Sequence, residues 1–308
     1  MTVPQDDGLA RAFEKERPRL LRVAYTTTGS LAEAEDCVQE SWLRLRRVPD
    51  PGAIRDLRGW LTTVVGRLAL DALGSARSRR ERYVGTWLPE PLVEPAVAGT
   101  AGTAGSAVPD PAEQVTLDES VSMALLVVLD ELSPAQRTAF LLHDVFGLSF
   151  ERVAEVVGRT PGAVRQLASR ARRHIEQSRP PAPAPRAEQR RLVHAFAAAC
   201  QEGDLEALVR VLDPEVTWRG DGGGLVASLP GAVRGADRVA RGLVSFGGGA
   251  LPPGTLRVVT VNGAAGLLLY GPEGEVSVAA FTVDGGRITA IDVQRNPEKL
   301  TSVRFPEA

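Results

Sequence analysis

Residues 149–173 read SFERVAEVVGRTPGAVRQLASRARR, and the spacing of their apolar side chains predicts two short helices meeting at a tight turn. Val153 and Val157 give the first helix an apolar face, with small Ala154 where the two helices must cross closely. Gly158 supplies the turn, Thr160 suits the cap of the next helix, and Pro161 suits its first position, where a missing N–H costs nothing. Val164, Leu167 and Ala168 form the buried stripe of the second helix, leaving Arg165, Gln166, Ser169, Arg170, Arg172 and Arg173 outward. Five arginines and no acid lie between Val157 and Ile175. This is the layout of a helix-turn-helix whose basic second helix can lie in a DNA major groove. A helical hairpin with a solvated basic face has the same pattern. Arg159 stands where an apolar residue often closes such a turn, which predicts a looser one.

The rest of the chain sets bounds on that reading. At 308 residues there is room for two or three domains with their own cores. The net charge is −2, so contact with nucleic acid must come from local basic patches and not from an overall field. Cys37 and Cys200 lie far apart, and three scattered histidines add no metal-ligand spacing. No disulfide framework, metal or cofactor is therefore expected, and a reducing cytoplasm is the simplest compartment. The acidic N-terminus lacks the pattern of a signal peptide, and no run of about 18 apolar residues could span a membrane.

Two segments interrupt the periodicity. Residues 84–112 are crowded with Gly, Pro, Ala and Thr and predict a flexible linker; residues 179–186 predict a Pro-rich, extended one. They separate a helical block at 8–83, a second at 113–178, and a third at 187–308. In the first block Ser30 and Glu33 form a capping box. The helix that follows carries Ala34, Val38, Trp42, Leu43 and Leu45 on one side and Glu35, Asp36, Gln39 and Glu40 on the other. An apolar helix from Trp60 to Leu70 then runs into Arg77, Arg79, Arg80 and Arg82. Capping boxes at Thr116–Glu119 and Ser133–Gln136 open helices of the second block, and Gly147 ends the latter. In the third block helices at 188–200, 205–212 and 236–246 accompany strand-like runs at 216–219, 256–261, 266–270, 276–283 and 287–293. Asn262-Gly263, Pro272-Glu273-Gly274 and Asp284-Gly285-Gly286 are turn signals between the last four runs. Helices on a curved antiparallel sheet form the natural α+β solution.

Asp36-Cys37-Val38-Gln39-Glu40 with Trp42-Leu43-Arg44-Leu45 resembles the polymerase-binding helix in region 2 of bacterial extracytoplasmic-function (group four) sigma factors. Trp60–Leu73 resembles the segment that opens the −10 element, and Ser133–Ile175 resembles region 4, which reads the −35 element. Three further motifs narrow the resemblance to the subgroup with a SnoaL-like C-terminal extension. These are Trp87-Leu88-Pro89-Glu90-Pro91, Asp221-Gly222-Gly223-Gly224 and Asn296-Pro297-Glu298-Lys299-Leu300.

The resemblance, which covers nearly the whole chain, implies two all-α sigma domains followed by a cone-shaped α+β regulatory domain. It implies core RNA polymerase and promoter DNA as partners. Asp36, Gln39, Glu40 and Leu43 would meet polymerase. Trp60, Arg67, Arg77, Arg79, Arg80 and Arg82 would meet the −10 element, with Trp60 also suited to a core position. Thr160, Arg165, Gln166, Ser169 and Arg170 would face bases of the −35 element, with Arg172 and Arg173 on phosphates. The three short motifs would join the extension to the sigma domains and their linker, with Trp87 as anchor and the glycines allowing close backbone approach. No separate anti-sigma factor is required by this reading. Folds of the extension's type elsewhere bind or isomerise small molecules, but no catalytic residues are expected here: Asp204, Asp213, Asp221, Asp237 and His194 do not form a constellation. A ligand-responsive regulator with one helix-turn-helix and a SnoaL-like sensor is the competing reading, and a cyclase or isomerase fused to a DNA-binding module is another. The Asp36–Leu45 helix and the second basic module argue against the regulator, and the missing catalytic constellation argues against the fused enzyme.

Overall fold

The computed structural model describes residues 3–80, 83–95, 121–178, 184–228, 231–246, 252, 255–271, 274–301 and 303. The chain forms two compact units, the first holding residues 3–80 and 126–178, the second 83–95, 121–125 and 184 onward. The Thr116–Glu119 cap, Arg82 and Pro272-Glu273 lie outside the described residues.

In the first unit α1 (Val3–Thr28), α2 (Leu31–Arg46) and α3 (Leu57–Arg80) pack around Leu20, Val23, Val38, Leu45, Leu61 and Val65. Ser30 caps α2, its hydroxyl accepting from the Glu33 amide. Thr26, Thr27 and Thr28 are buried at the end of α1, each hydroxyl donating to a carbonyl one turn back. α4 (Met123–Asp130) is followed by α5 (Pro134–Phe140), which opens on the reciprocal Ser133–Gln136 capping box. A π-helical turn at Leu141–Val145 then precedes Gly147, so the expected helix changes pitch before it ends. α6 (Phe150–Val157) and α7 (Pro161–Ser178) form the helix-turn-helix around buried Val153, Ala154, Val156, Val164 and Ala168. Val156 takes the buried place expected of Val157, which is half-exposed.

The helix-turn-helix packs on the α1–α3 bundle within this unit. Gly66 of α3 leaves room at the crossing: a Cβ there would lie 3.1 Å from Leu142 and 3.3 Å from Val156. Arg137, only 1% exposed, donates from Nε and Nη2 to the Thr26 carbonyl at 3.3 and 3.0 Å, and from Nη1 to Asp130 at 3.0 Å. The Thr26 carbonyl is one of the last four of α1 and has no intrahelical donor, so the guanidinium supplies one.

In the second unit one seven-stranded sheet runs β1 (Val93–Pro95), β4 (Leu256–Val261), β5 (Ala264–Tyr270), β6 (Val276–Asp284), β7 (Arg287–Gln294), β2 (Leu212–Asp221), β3 (Val233–Arg234). Its inner face meets α8 (Arg186–Glu202), α9 (Leu205–Val211) and α10 (Ala236–Phe246) over Val193, Phe196, Leu208, Val239, Phe281 and Ile291. The sheet is dominated by antiparallel pairs, as expected, with β2 and β7 pairing in parallel. One expectation needs correction: 84–112 is not a linker throughout, since its described part is bound in this unit, with Leu88–Pro91 buried and Val93–Pro95 an edge strand on β4. The loop-forming composition of that segment is concentrated beyond residue 95.

Arg137→Ala is expected to cost about 3 kcal/mol, because it removes the donor to a buried carbonyl and a charged partner of Asp130. A lowered midpoint of urea unfolding for the full-length chain would register it.

Candidate functional site

On α7, Arg165, Gln166, Arg170 and Arg173 are exposed on one basic surface. Thr160 caps the helix, its hydroxyl accepting from the Ala163 amide at 3.3 Å. Ser169 is half-buried. Arg172, expected on a DNA phosphate, instead pairs with Asp144 of the π turn at 2.6 Å.

On α2, Asp36, Gln39, Glu40 and Leu43 follow the i, i+3, i+4, i+7 spacing and share one outward stripe, opposite buried Ala34, Cys37, Val38, Ser41 and Leu45. Leu43 is 37% exposed, high for a leucine on an otherwise well-packed bundle. Glu40 also pairs with Arg44 at 3.0 Å. Trp60 is half-buried on α3. Arg67, expected at DNA, donates twice to the Glu155 carbonyl near the end of α6, at 3.0 and 2.7 Å. A cation is favoured there because the closing carbonyls of a helix carry partial negative charge. Arg77, Arg79 and Arg80 lie on the last turns of α3, but their side chains are outside the described set, as is all of Arg82.

The three short motifs meet in the second unit, on the outer face of the sheet, at one carboxylate. Parallel pairing sets Arg219 beside Asp292 and Asp221 beside Gln294. Arg219 grips Asp292 through two bonds of 2.6 and 3.1 Å, while burial pushes the Asp292 carboxyl up against that pull. Asp221 is 0% exposed, and its carboxylate accepts five hydrogen bonds from the described residues. Oδ1 takes the Tyr83 hydroxyl at 2.6 Å and the Gly223 amide at 3.0 Å. Oδ2 takes the Leu88 amide at 2.9 Å, Gln294 Nε2 at 3.1 Å and Lys299 Nζ at 2.7 Å. Lys299 Nζ also donates to the Leu88 carbonyl at 2.7 Å and lies 4.1 Å from the Trp87 ring centroid and 4.8 Å from that of Tyr83. Gln294 Nε2 reaches the Leu88 and Pro89 carbonyls, and its Oε1 accepts the Asn296 amide. Asn296 caps the 3₁₀ turn Pro297–Lys299, which presents the lysine, and donates to the Tyr83 oxygen at 2.8 Å. Leu300 is buried behind that turn, whereas Pro297 and Glu298 are exposed.

Burial first, and the bond to Asp221 second, raise the Tyr83 phenol above its ordinary value. Its contribution is therefore complete below the ordinary phenol pKa of about 10 and is lost only as pH rises through the higher folded value.

Trp87 is half-buried and acts through the ammonium; the fully enclosed linker residues are Leu88, Pro89, Glu90 and Pro91. The glycines also serve differently from the expectation. Gly223, at φ 65°, makes room for Asn296, since a Cβ would lie 2.5 Å from Nδ2, and exposed Gly224 faces Val84. Gly222 accommodates the Val226 carbonyl. The linker is approached by glycine backbone only at Val84, opposite Gly224; at Leu88 it is reached by the side chain of Asp221. Tyr83 and Gln294 were missed. Gln294 was discoverable two residues before Asn296, in step with the pleat; nothing local marked Tyr83.

Asn262 does more than turn the chain between β4 and β5. Buried at φ 50°, it exchanges bonds with Leu92: its amide donates to the Leu92 carbonyl at 2.9 Å, and its Oδ1 accepts the Leu92 amide at 3.1 Å. Its Nδ2 donates to the Val121 carbonyl at 3.5 Å, so one side chain holds both ends of the 93–120 segment.

Asp221→Asn should remove the negative charge that Lys299 meets at 2.7 Å and weaken the hold on Leu88 by about 3 kcal/mol. Hydrogen exchange at the Leu88 amide would then quicken on the order of a hundredfold. Gly223→Ala, strained at its φ and crowded by Asn296, should move the same amide in the same direction by about 1–3 kcal/mol.

Among the described residues no group of three or more His, Cys, Asp or Glu is arranged to hold a metal, and no helix is long and apolar enough to cross a membrane. The family description "Sigma-70 region 2" matches residues 12–79, and "Sigma-70, region 4" matches 122–175. The chain is 43% identical over 311 residues to the ECF RNA polymerase sigma factor SigJ of Mycobacterium tuberculosis, covering 96% of this chain and 94% of that one. It is 38% identical over 300 residues to the probable ECF RNA polymerase sigma factor SigI of the same species, covering 97% of each. The crystal structure of the M. tuberculosis extracytoplasmic function sigma factor SigJ superposes with a TM-score of 0.76 at 37% identity, covering 95% of this chain and 98% of that one. With two sigma regions in order and such likeness along almost its whole length, the chain belongs to the extracytoplasmic-function RNA polymerase sigma factors.

Proposed function

We propose that this sigma factor, which directs core RNA polymerase to promoters, is controlled from within its own chain by the SnoaL-like extension. The observation that carries this reading is the Asp221–Lys299 pair closed on Tyr83 and Leu88, which fastens the segment leaving region 2 to the extension. Asn262 adds the second fixture by holding Leu92 and Val121 together. A sigma factor must reach two promoter elements at once, and this segment joins its two regions. Fixing both of its ends limits how far the regions can part; releasing the hold lifts that limit.

In this reading the Asp36–Leu43 stripe docks on polymerase, where its acids orient the encounter. The basic end of α3 meets the −10 element, and Arg165, Gln166 and Arg170 face the −35 element. Arg67 and Arg172 join the DNA-contacting set only after leaving Glu155 and Asp144. The extension acts by binding its own linker and not by catalysis, and control of this kind needs no separate anti-sigma factor.

Run-off transcription with purified core polymerase tests the proposal. The Lys299→Met chain should bind core polymerase as the unaltered chain does and give several-fold more promoter-specific transcript. Equal output from both would refute control through this hold. If neither they nor a chain ending at residue 178 initiates at a defined site, the sigma assignment itself fails.

A further inference from the structure

We infer that Phe150 and His143 are positioning residues that aim Arg165 of the recognition helix at its base pair. This rests on the reading of Arg165 as a base-edge residue. The π turn at Leu141–Val145 carries His143 toward the start of α6. His143 Nδ1 lies 2.7 Å from the Leu148 carbonyl, and since a carbonyl can only accept, Nδ1 carries the hydrogen. That bond sets the imidazole plane, which stacks on Phe150 with centroids 3.8 Å apart and planes 25° from parallel. The Arg165 guanidinium lies over the same phenyl ring, its central carbon 4.9 Å from the centroid.

The stack joins three elements in sequence: the π turn fixes His143, His143 fixes the ring, and the ring restrains the arginine. Arg165 is otherwise an exposed, long side chain near the start of α7, and its freedom would be lost on binding. Holding it over an aromatic face before DNA arrives lowers that cost, which is the benefit of preorganisation. The ring donates no hydrogen bond to the guanidinium, so the N–H groups of Arg165 that face solvent remain available to a guanine edge. Gln166 and Arg170 have no such ring contact among those described, which makes the effect local to one base position.

The test uses holoenzyme reconstituted from core polymerase and the full chain. A preferred duplex is selected from a pool of random duplex DNA, and binding is then compared across its single-base variants. Arg165→Ala should flatten discrimination at one base pair. Phe150→Leu should lower discrimination at that same base pair roughly two- to fivefold, the loss expected for one exposed cation–ring contact. Preferences elsewhere in the site should stay unchanged, Phe150→Tyr should behave as the unaltered chain, and Phe150→Leu combined with Arg165→Ala should lose no more than Arg165→Ala alone. Uniform weakening at all positions, or no change with Phe150→Leu, would overturn the positioning role while leaving Arg165 as a reader. No change with Arg165→Ala would overturn the base-reading assignment and the positioning role together.

Discussion

A carboxylate enclosed by protein must have its charge answered, and much of the second unit is arranged around doing so for Asp221. Two strands run in parallel to bring Gln294 beside it, a 3₁₀ turn delivers Lys299, and the linker contributes a hydroxyl and an amide. Removing water from an isolated carboxylate costs several kcal/mol, and only a complete set of donors offsets that. The arrangement is therefore sensitive to the loss of any one contributor. Because two of the contributors, Tyr83 and Leu88, belong to the segment between the sigma regions, the requirement for complete pairing makes that segment part of the extension.

The first unit shows the same economy at another buried ion. Arg137 closes the end of α1 by bonding the Thr26 carbonyl, so the region-4 helices complete the capping of a region-2 helix. Arg67 does the reverse, closing the end of α6 from α3. Each region thereby supplies a cation to an unsatisfied helix terminus of the other. In this conformation two arginines that the family resemblance assigns to DNA, Arg67 and Arg172, are engaged inside the protein. Burial pushes the thiols of Cys37 and Cys200 up to about 11 and about 12, away from the reactive thiolate.

Much of the architecture was legible beforehand because caps, stops and periodicity are local. The Ser133–Gln136 box, the Gly158 turn and strand β4 could all be read from neighbours within a few residues, whereas Leu43, expected on the apolar side of α2, lies with the acids on its outward stripe. The three short motifs were legible as a group through resemblance, although their chemistry was not. Trp87 drew attention as a large aromatic surface, whereas the organising group was the small carboxylate of Asp221. The glycines beside it indicated close approach without saying what approaches.

The sequence alone determined two helical blocks, a helix-turn-helix with a basic outer face, and an α+β third block, because each follows from the order and spacing of side chains; their sigma character was carried by resemblance. Only the tertiary structure decided that Val93–Pro95 is an edge strand, that β2 runs parallel to β7, and that Tyr83, Asp221, Gln294 and Lys299 converge. It also decided that one asparagine in a hairpin turn holds Leu92 and Val121. These are pairings between residues from tens to more than two hundred positions apart, fixed by which buried polar groups can satisfy one another. No local pattern encodes that condition; it exists only once the chain has excluded water from the groups concerned.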